Sequence, residues 1–421
     1  VTTAKTSGGD ASGDVLANFQ NITGSAYDDA LVGTSAANLM PGGGGDDTLT
    51  GGGGADTIDG GSGTNTASYS TSTAGVVVNL TVATAQTSTG DASGDILANI
   101  QNVIGSAYAD TLTGDANSNV LSGGAGNDSI VGGDGNVTLR GGAGADTLDG
   151  GTGVDTADFS AATGAINVDL AANTAPNNGF GSADVVTNIQ VVIGSSYADS
   201  IEGRISGGDT LIGGAGNDTY WIMNSTDVVV ENPREGTDEE ISYVTSLTAA
   251  DNIEVLVLSA TGGALDGTGN DLGDSIYGDT LSNLLVGGAG NDYLQGDGGN
   301  DTLVGGAGAD TIDGGAGTNT IDYSASSAGV TVDLALSTAQ AGGDAAGDIL
   351  SNLQNLVGSA FDDYLTGTSA ANVLTGGAGD DTLAGGAGAD TLDGGTGINT
   401  VDYSASSAAV SVNLSTGTDT G

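Results

Sequence analysis

The sequence predicts an all-β fold: a parallel β-solenoid with an inserted non-repeat β segment. Three observations predict it. A nine-residue unit, Gly-Gly-x-Gly-x-Asp-x-Leu-x, recurs in frame in several arrays. Val, Ile and Leu return at fixed spacing, although 4 Lys and Arg against 53 Asp and Glu leave a net charge of −49. The acidic residues are 47 Asp and only 6 Glu. A merely solvated polyanion has little reason to prefer the shorter carboxylate. Asp suits tight turns and reaches a cation held close to the main chain.

Composition excludes many functions. Lys5, Arg140, Arg204 and Arg234 cannot form a basic patch, so nucleic acid is not expected as a partner. With no Cys there is no disulfide framework or thiolate metal site, and with no His there is no imidazole zinc site or Ser-His-Asp triad. Gly, at 79 of 421 residues, is far below the one-third of collagen, and Pro is only 3. Apolar runs such as Val255–Leu258 are too short for a transmembrane helix, so no transmembrane insertion is expected.

The first strict units run from Gly42 to Thr50 and from Gly51 to Asp59. Others start at Gly60, Gly123, Gly132, Gly141, Gly150, Gly213, Gly287, Gly296, Gly305, Gly314, Gly376, Gly385 and Gly394. Looser copies at Gly24, Gly33, Gly105, Gly114, Gly269, Gly278, Gly358 and Gly367 lead into them without a gap. The arrays are therefore 24–68, 105–158, 269–322 and 358–402, with a shorter one at 194–221.

Spacers of 35 or 36 residues, Tyr69–Ile104, Phe159–Ile193 and Tyr323–Val357, separate the arrays. Each holds an alternating run, such as Val76-Val77-Val78-Asn79-Leu80, that marks a half-buried strand. The spacers are expected to continue the stack with wider turns. The segment 222–268 lacks the nonapeptide and carries five of the six Glu. Three regions follow: an N-terminal arm 1–221, the Glu-containing inserted β segment 222–268, and a C-terminal arm 269–421. Val1–Asn21 matches Val82–Asn102 at an offset of 81, and Tyr403 onward matches the spacer from Tyr69. The chain thus reads as a slice of a longer repeat polymer, or as one whose ends meet its neighbours.

The unit has a physical logic. Its first six residues form a turn in which glycines permit positive φ and let carbonyls crowd around a point. Its last three form a short strand with the central Leu, Ile or Val inward. Two units make one coil, so unit n lies under unit n+2. Stacking sets one Asp above another about 5 Å away, and such rows repel unless a cation lies between them. Mixed carboxylate and carbonyl oxygens in a flexible cage suit Ca²⁺ better than Mg²⁺.

In these units the chain resembles the RTX, or haemolysin-type, calcium-binding nonapeptide family, whose fold is a calcium-stacked parallel β-roll. The resemblance implies several Ca²⁺ ions held by Gly carbonyls and by the Asp at position six. Here those are Asp47, Asp56, Asp128, Asp146, Asp155, Asp218, Asp292, Asp301, Asp310, Asp381 and Asp390. Some units depart from the pattern: Asn65, Asn319 and Asn399 lose the charge, Val137 cannot ligate, and Asp297 replaces the second Gly. A second candidate, Gly90-Asp91-Ala92-Ser93-Gly94-Asp95, recurs with Asp10 and Asp14 and with Asp344 and Asp348. It reads either as further Ca²⁺ sites or as an acidic surface loop. In the middle spacer Phe180 stands for the first Asp, while Asp184 remains.

The functional expectation is a non-enzymatic, secreted extracellular or cell-surface structural protein, such as a surface layer, filament or adhesin-type scaffold, that folds and assembles on Ca²⁺. Its expected partners are other copies of itself or the rest of a longer repeat protein. The alternative is the calcium-dependent C-terminal repeat region of a type I-secreted protease, lipase, epimerase or toxin whose catalytic domain lies outside this chain. Carboxylate pairs such as Asp46 and Asp47 recur too often to be read as catalytic.

Overall fold

The computed structural model describes residues 9–12, 14–259, 261 and 265–414. The termini, on which the reading of the chain's ends partly rests, lie outside these. Among the described residues the fold is all-β, with three-residue 3₁₀ turns and no α-helix. The chain forms two compact units, Val1–Asp218 with Thr226–Val229, and Thr219–Ser225 with Val230–Gly421.

The first unit winds as a parallel solenoid. One row of strands runs from Ala30–Val32 through Thr48–Thr50, Thr66–Ser68, Asn102–Ile104, Val120–Ala125, Thr138–Ala143 and Thr156–Asp158 to Val191–Ile193 and Thr210–Ile212. The opposite side carries Leu39–Pro41, Thr57–Asp59 and Ile96–Ala98, then a second row that includes Val77–Asn79, Thr111–Thr113, Ser129–Gly133 and Thr147–Gly151. Within the arrays partners are 18 residues apart, as in Leu49 beneath Leu31 and Ile130 beneath Leu112. This is the two-unit coil that the nine-residue frame predicts.

The second unit repeats the plan. Thr219–Ile222, Glu239–Ser242, Val255–Leu258, Ser275–Tyr277, Tyr293–Gln295 and Thr311–Asp313 pair in parallel, each with the next. Segment 222–268, though devoid of the nonapeptide, thus supplies rungs of the same ladder. Its inward residues include Glu240, flanked in register by Tyr220 and Leu256.

Most of the short strands bury their central residue. Leu49, Ile58, Leu112, Leu121, Ile130, Leu139 and Leu148 are 0 % exposed, as are Leu285, Leu294, Leu303 and Ile312. Full burial of such a side chain contributes about 1.5–3 kcal/mol, so the inward row is the main apolar driving force. The spacers continue the stack: Ile96–Ala98 pairs with Thr57–Asp59, and Val77–Asn79 with Thr111–Thr113. The middle spacer departs from purely parallel winding. There Thr174–Asn178 runs antiparallel between Ile166–Asp169 and Asp184–Thr187.

Position two of the unit lies in the left-handed region: φ is 113° at Gly43, 111° at Gly124 and 116° at Gly288. Asp297 keeps that conformation at φ 61°, which Asp tolerates better than most residues with a side chain.

Candidate metal centres

The position-six aspartates are aligned by a backbone ladder. In the 105–158 array the N–H of Asp110 donates to Asp128 Oδ1 (2.8 Å), that of Asp128 to Asp146 Oδ1 (2.8 Å), and that of Asp146 to Asp184 Oδ1 (2.9 Å). In the second unit the chain is Asp274 to Asp292 to Asp310 to Asp348, at 2.8, 2.9 and 2.9 Å. All eleven position-six candidates accept in this way. Asp47 takes the N–H of Asp29, Asp56 that of Asn38, Asp155 that of Val137 and Asp218 that of Asp199. Asp301 takes that of Asn283, Asp381 that of Asp363 and Asp390 that of Asn372.

The ladder turns these side chains inward. Ten of the eleven are at most 3 % exposed, and Asp390 is half-buried. The second oxygen is then stranded. Oδ2 of Asp47, Asp56, Asp128, Asp146, Asp155, Asp292, Asp301, Asp310 and Asp381 is buried without a hydrogen-bond partner. A buried carboxylate oxygen without a partner is costly. Burial accordingly raises the Asp128 and Asp292 carboxyls from 3.8 to about 7 and Asp301 to about 6, against the opposing ladder N–H. Neighbouring carboxylates add to the rise: Asp146 and Asp110 act on Asp128, Asp310 and Asp274 on Asp292.

The stranded oxygens face a cradle that glycine leaves open. A Cβ added to Gly42, Gly123, Gly287, Gly296 or Gly376 would strike Oδ2 of that unit's own aspartate. It would also meet the carbonyl of the position-one glycine one coil on, respectively Gly60, Gly141, Gly305, Gly314 and Gly394. A carboxylate and a carbonyl oxygen thus converge on one point with no donor to separate them. This hard, all-oxygen donor set fits Ca²⁺.

These cradles are the repeat of a known family. The model of the RTX calcium-binding nonapeptide repeat matches residues 32–67, 100–130, 122–157, 189–220, 268–303, 277–312, 295–325 and 366–401. The chain belongs to the RTX calcium-binding nonapeptide repeat family. Together the matches span just over half of it. Comparison with curated proteins returns no match.

The looser RTX units that open each array use their aspartates differently. Ser106 N–H donates to Asp110 Oδ2 while its hydroxyl donates to Oδ1, and Ser195 with Asp199 and Ser359 with Asp363 repeat the arrangement. In the 105–158 and 358–402 arrays the next unit carries Asn at position six, where Asn119 Oδ1 accepts from Asp115 N–H and Asn372 Oδ1 from Thr368 N–H. In the 194–221 array Asp209 stands there and accepts from the Arg204 backbone and guanidinium. The opening coil is therefore closed by protein donors. Asp274 is an exception. Asn270 N–H reaches its Oδ2 but Asn270 has no hydroxyl, and Oδ1 is buried without a partner.

The array ends are closed as well, by residues that sequence reasoning missed. On one side Gln101, Gln190 and Gln354 accept the N–H of Asn65, Asp155 and Asn319 through Oε1, each at 2.7 Å. On the other, Asp95, Asp184 and Asp348 accept the N–H of Asp56, Asp146 and Asp310. The Gln recurs at one place in each spacer, directly after a buried Ile or Leu (Ile100, Ile189 and Leu353), which was the available signal.

The secondary candidates divide. Asp95 and Asp348 join the ladder, and their Oδ2 atoms accept the hydroxyls of Tyr69 (3.1 Å) and Tyr323 (2.8 Å). Asp91 and Asp344 lie half-buried on the 3₁₀ turns Gly90–Ala92 and Gly343–Ala345. Their charges lie near enough to raise the Asp56 and Asp310 carboxyls, after burial. Asp10 and Asp14 are exposed.

Proposed function

We propose that this RTX chain is an extracellular structural protein, of the surface-layer, filament or adhesin-scaffold kind, whose coils lock when Ca²⁺ enters the Asp–Gly cradles. The observation that carries the reading is the row of buried Oδ2 atoms without partners, repeated at the coil spacing in both compact units. Metal-free, each row is a stack of desolvated like charges; with the ion, each becomes a clamp between coils. Folding and binding are then one event. Extracellular modules saturate at ~10⁻⁴–10⁻³ M Ca²⁺, so the chain folds outside the cell and stays open within it. RTX repeats are typical of secreted proteins, and no helix among the described residues is long and apolar enough to cross a membrane.

Self-association is part of the proposal. Among the described residues the strands Ala30–Val32 and Thr391–Asp393 have a ladder neighbour on one side only, and Val32 is 64 % exposed. Such an edge takes another strand, from a second copy or from more chain. The second reading is the repeat region of a type I-secreted enzyme or toxin, which the family's usual context favours. Electron microscopy with and without Ca²⁺ separates the two. Ordered fibres or sheets that appear with Ca²⁺ are the expected result; isolated rods at every Ca²⁺ concentration would remove the scaffold reading.

A further inference from the structure

The three spacers close their arrays at homologous rungs, where the N–H groups of Asp56, Asp146 and Asp310 meet Asp95, Asp184 and Asp348. Only the first and third carry a tyrosine on the closing aspartate. In the middle spacer Phe159 stands where Tyr69 and Tyr323 stand, with no hydroxyl to give, and Asp184 Oδ2 is buried without a partner.

The middle spacer has a different device. Asn178 is 0 % exposed. Its Nδ2 donates to Gly144 O (2.7 Å) and Asp184 Oδ1 (3.0 Å) and lies 3.5 Å from Gly142 O. Its Oδ1 accepts from Phe180 N–H (3.0 Å) and Ser182 N–H (3.2 Å). The amide orientation is therefore dictated on both sides: acceptors surround the nitrogen and donors surround the oxygen. Gly142 and Gly144 are positions two and four of the last strict unit in that row, and Asp184 is the ladder carboxylate one coil on. One buried nitrogen thus gathers two turn carbonyls of one coil and the carboxylate of the next.

The same place in the other spacers holds Thr89 and Gly342, which carry no such amide. Those spacers instead have Asp91 and Asp344 where the middle one has Phe180. The amide and the extra carboxylate replace each other within one chain. This is what is expected if the oxygens need a positive partner, supplied by an ion in two spacers and by the protein in the third.

We infer that the Asn178 amide is a built-in substitute for one divalent cation: at the end of the 105–158 array it ties the Gly142 and Gly144 carbonyls to Asp184 Oδ1, where the 24–68 and 269–322 arrays offer Asp91 and Asp344 to a Ca²⁺ ion. The inference rests on the calcium reading of the cradles and adds a division of labour among the arrays. The middle array keeps this link between its last two rungs at low Ca²⁺.

Amide hydrogen exchange on the full chain in excess chelator tests it. The Asp146 N–H is expected to exchange about tenfold or more slowly relative to those of Asp56 and Asp310. Addition of Ca²⁺ is expected to bring the other two to the same protection. Equal loss at all three rungs overturns the assignment of Asn178 while leaving the calcium reading intact. No loss at any rung removes the calcium reading and this inference with it. Asn178→Asp, nearly identical in shape, supplies a second readout. It is expected to bind one more Ca²⁺ per chain in equilibrium dialysis and to lose the chelator-resistant protection at Asp146. An unchanged ion count with unchanged protection overturns the proposal.

Discussion

The backbone N–H of Asp128 donates to Oδ1 of Asp146, 18 residues further on, at 2.8 Å. That bond makes Asp146 a structural acceptor through one oxygen and leaves the other, buried and unpartnered, for a cation. The two tasks of each repeat carboxylate can therefore be separated by substitution.

Asp128→Asn retains an Oδ1 for the Asp110 N–H and removes the charge. Asn319 shows the outcome, with Oδ1 accepting from Asp301 N–H and Nδ2 donating to Gly314 O. The variant is expected to bind fewer Ca²⁺ ions by calorimetry and to melt higher than the parent in chelator. Asp128→Ala leaves the buried Asp110 N–H without an acceptor. It is expected to cost about 1–3 kcal/mol with or without Ca²⁺. Equal behaviour of the two variants would contradict the division of labour between the oxygens.

Glycine at position one is required by the cradle and glycine at position three is not. Gly287→Ala places a Cβ on Asp292 Oδ2 and on the Gly305 carbonyl. Gly298→Ala meets nothing nearer than 3.6 Å. The first is expected to raise the Ca²⁺ concentration for folding about tenfold or more, followed by circular dichroism, since a buried overlap of this kind costs ~1–3 kcal/mol. The second is expected to change it less than twofold.

Tyr323→Phe reproduces in the third spacer what Phe159 does in the second. It removes the hydroxyl from Asp348 Oδ2, in a pair of which Tyr323 is 2 % and Asp348 0 % exposed. A loss of about 1.5 kcal/mol is expected in denaturant titration at saturating Ca²⁺. A change below a few tenths would mean that the hydroxyl does not support the closing rung.

Chelation is expected to abolish most β-type circular dichroism, with cooperative recovery when Ca²⁺ is restored. The acidic rows have few cations to compensate them: among the described residues the ion pairs are Arg140 with Asp158 and Arg204 with Asp209. A chain equally folded in excess chelator and in Ca²⁺ defeats the clamp mechanism.

Acid is expected to act in opposite directions on the two forms. Burial raises Asp128 and Asp292 from 3.8 to about 7 in the metal-free fold, so that fold holds more protons than the unfolded chain between these values. Its stability therefore falls as pH rises from about 4 to about 7. In chelator, β structure is expected to increase from pH 7.5 to pH 5. In Ca²⁺, protons compete with the ion for the same oxygens, so the Ca²⁺ midpoint is expected to rise as pH falls. Parallel pH trends with and without Ca²⁺ would count against the Asp rows as the binding groups.

The nonapeptide by itself determined the solenoid, the 18-residue register, the inward Leu, Ile and Val, and the Asp–Gly frame of the cradles. These are local and periodic properties. A strand alternates its faces, a turn needs glycine where φ is positive, and a unit of nine residues closes half a coil, so reading the frame suffices. Only the tertiary structure decided which carboxylates are left open. Asp95, Asp184 and Asp348, which accept the N–H groups of Asp56, Asp146 and Asp310, and the Gln residues that end the opposite rows come from spacers up to 39 residues away. Asp348 and Asp184 close homologous rungs, yet the first is capped by Tyr323 from 25 residues away and the second keeps a stranded oxygen. Whether a buried oxygen meets a donor depends on side chains brought alongside by stacking, and a one-dimensional repeat carries no record of that contact.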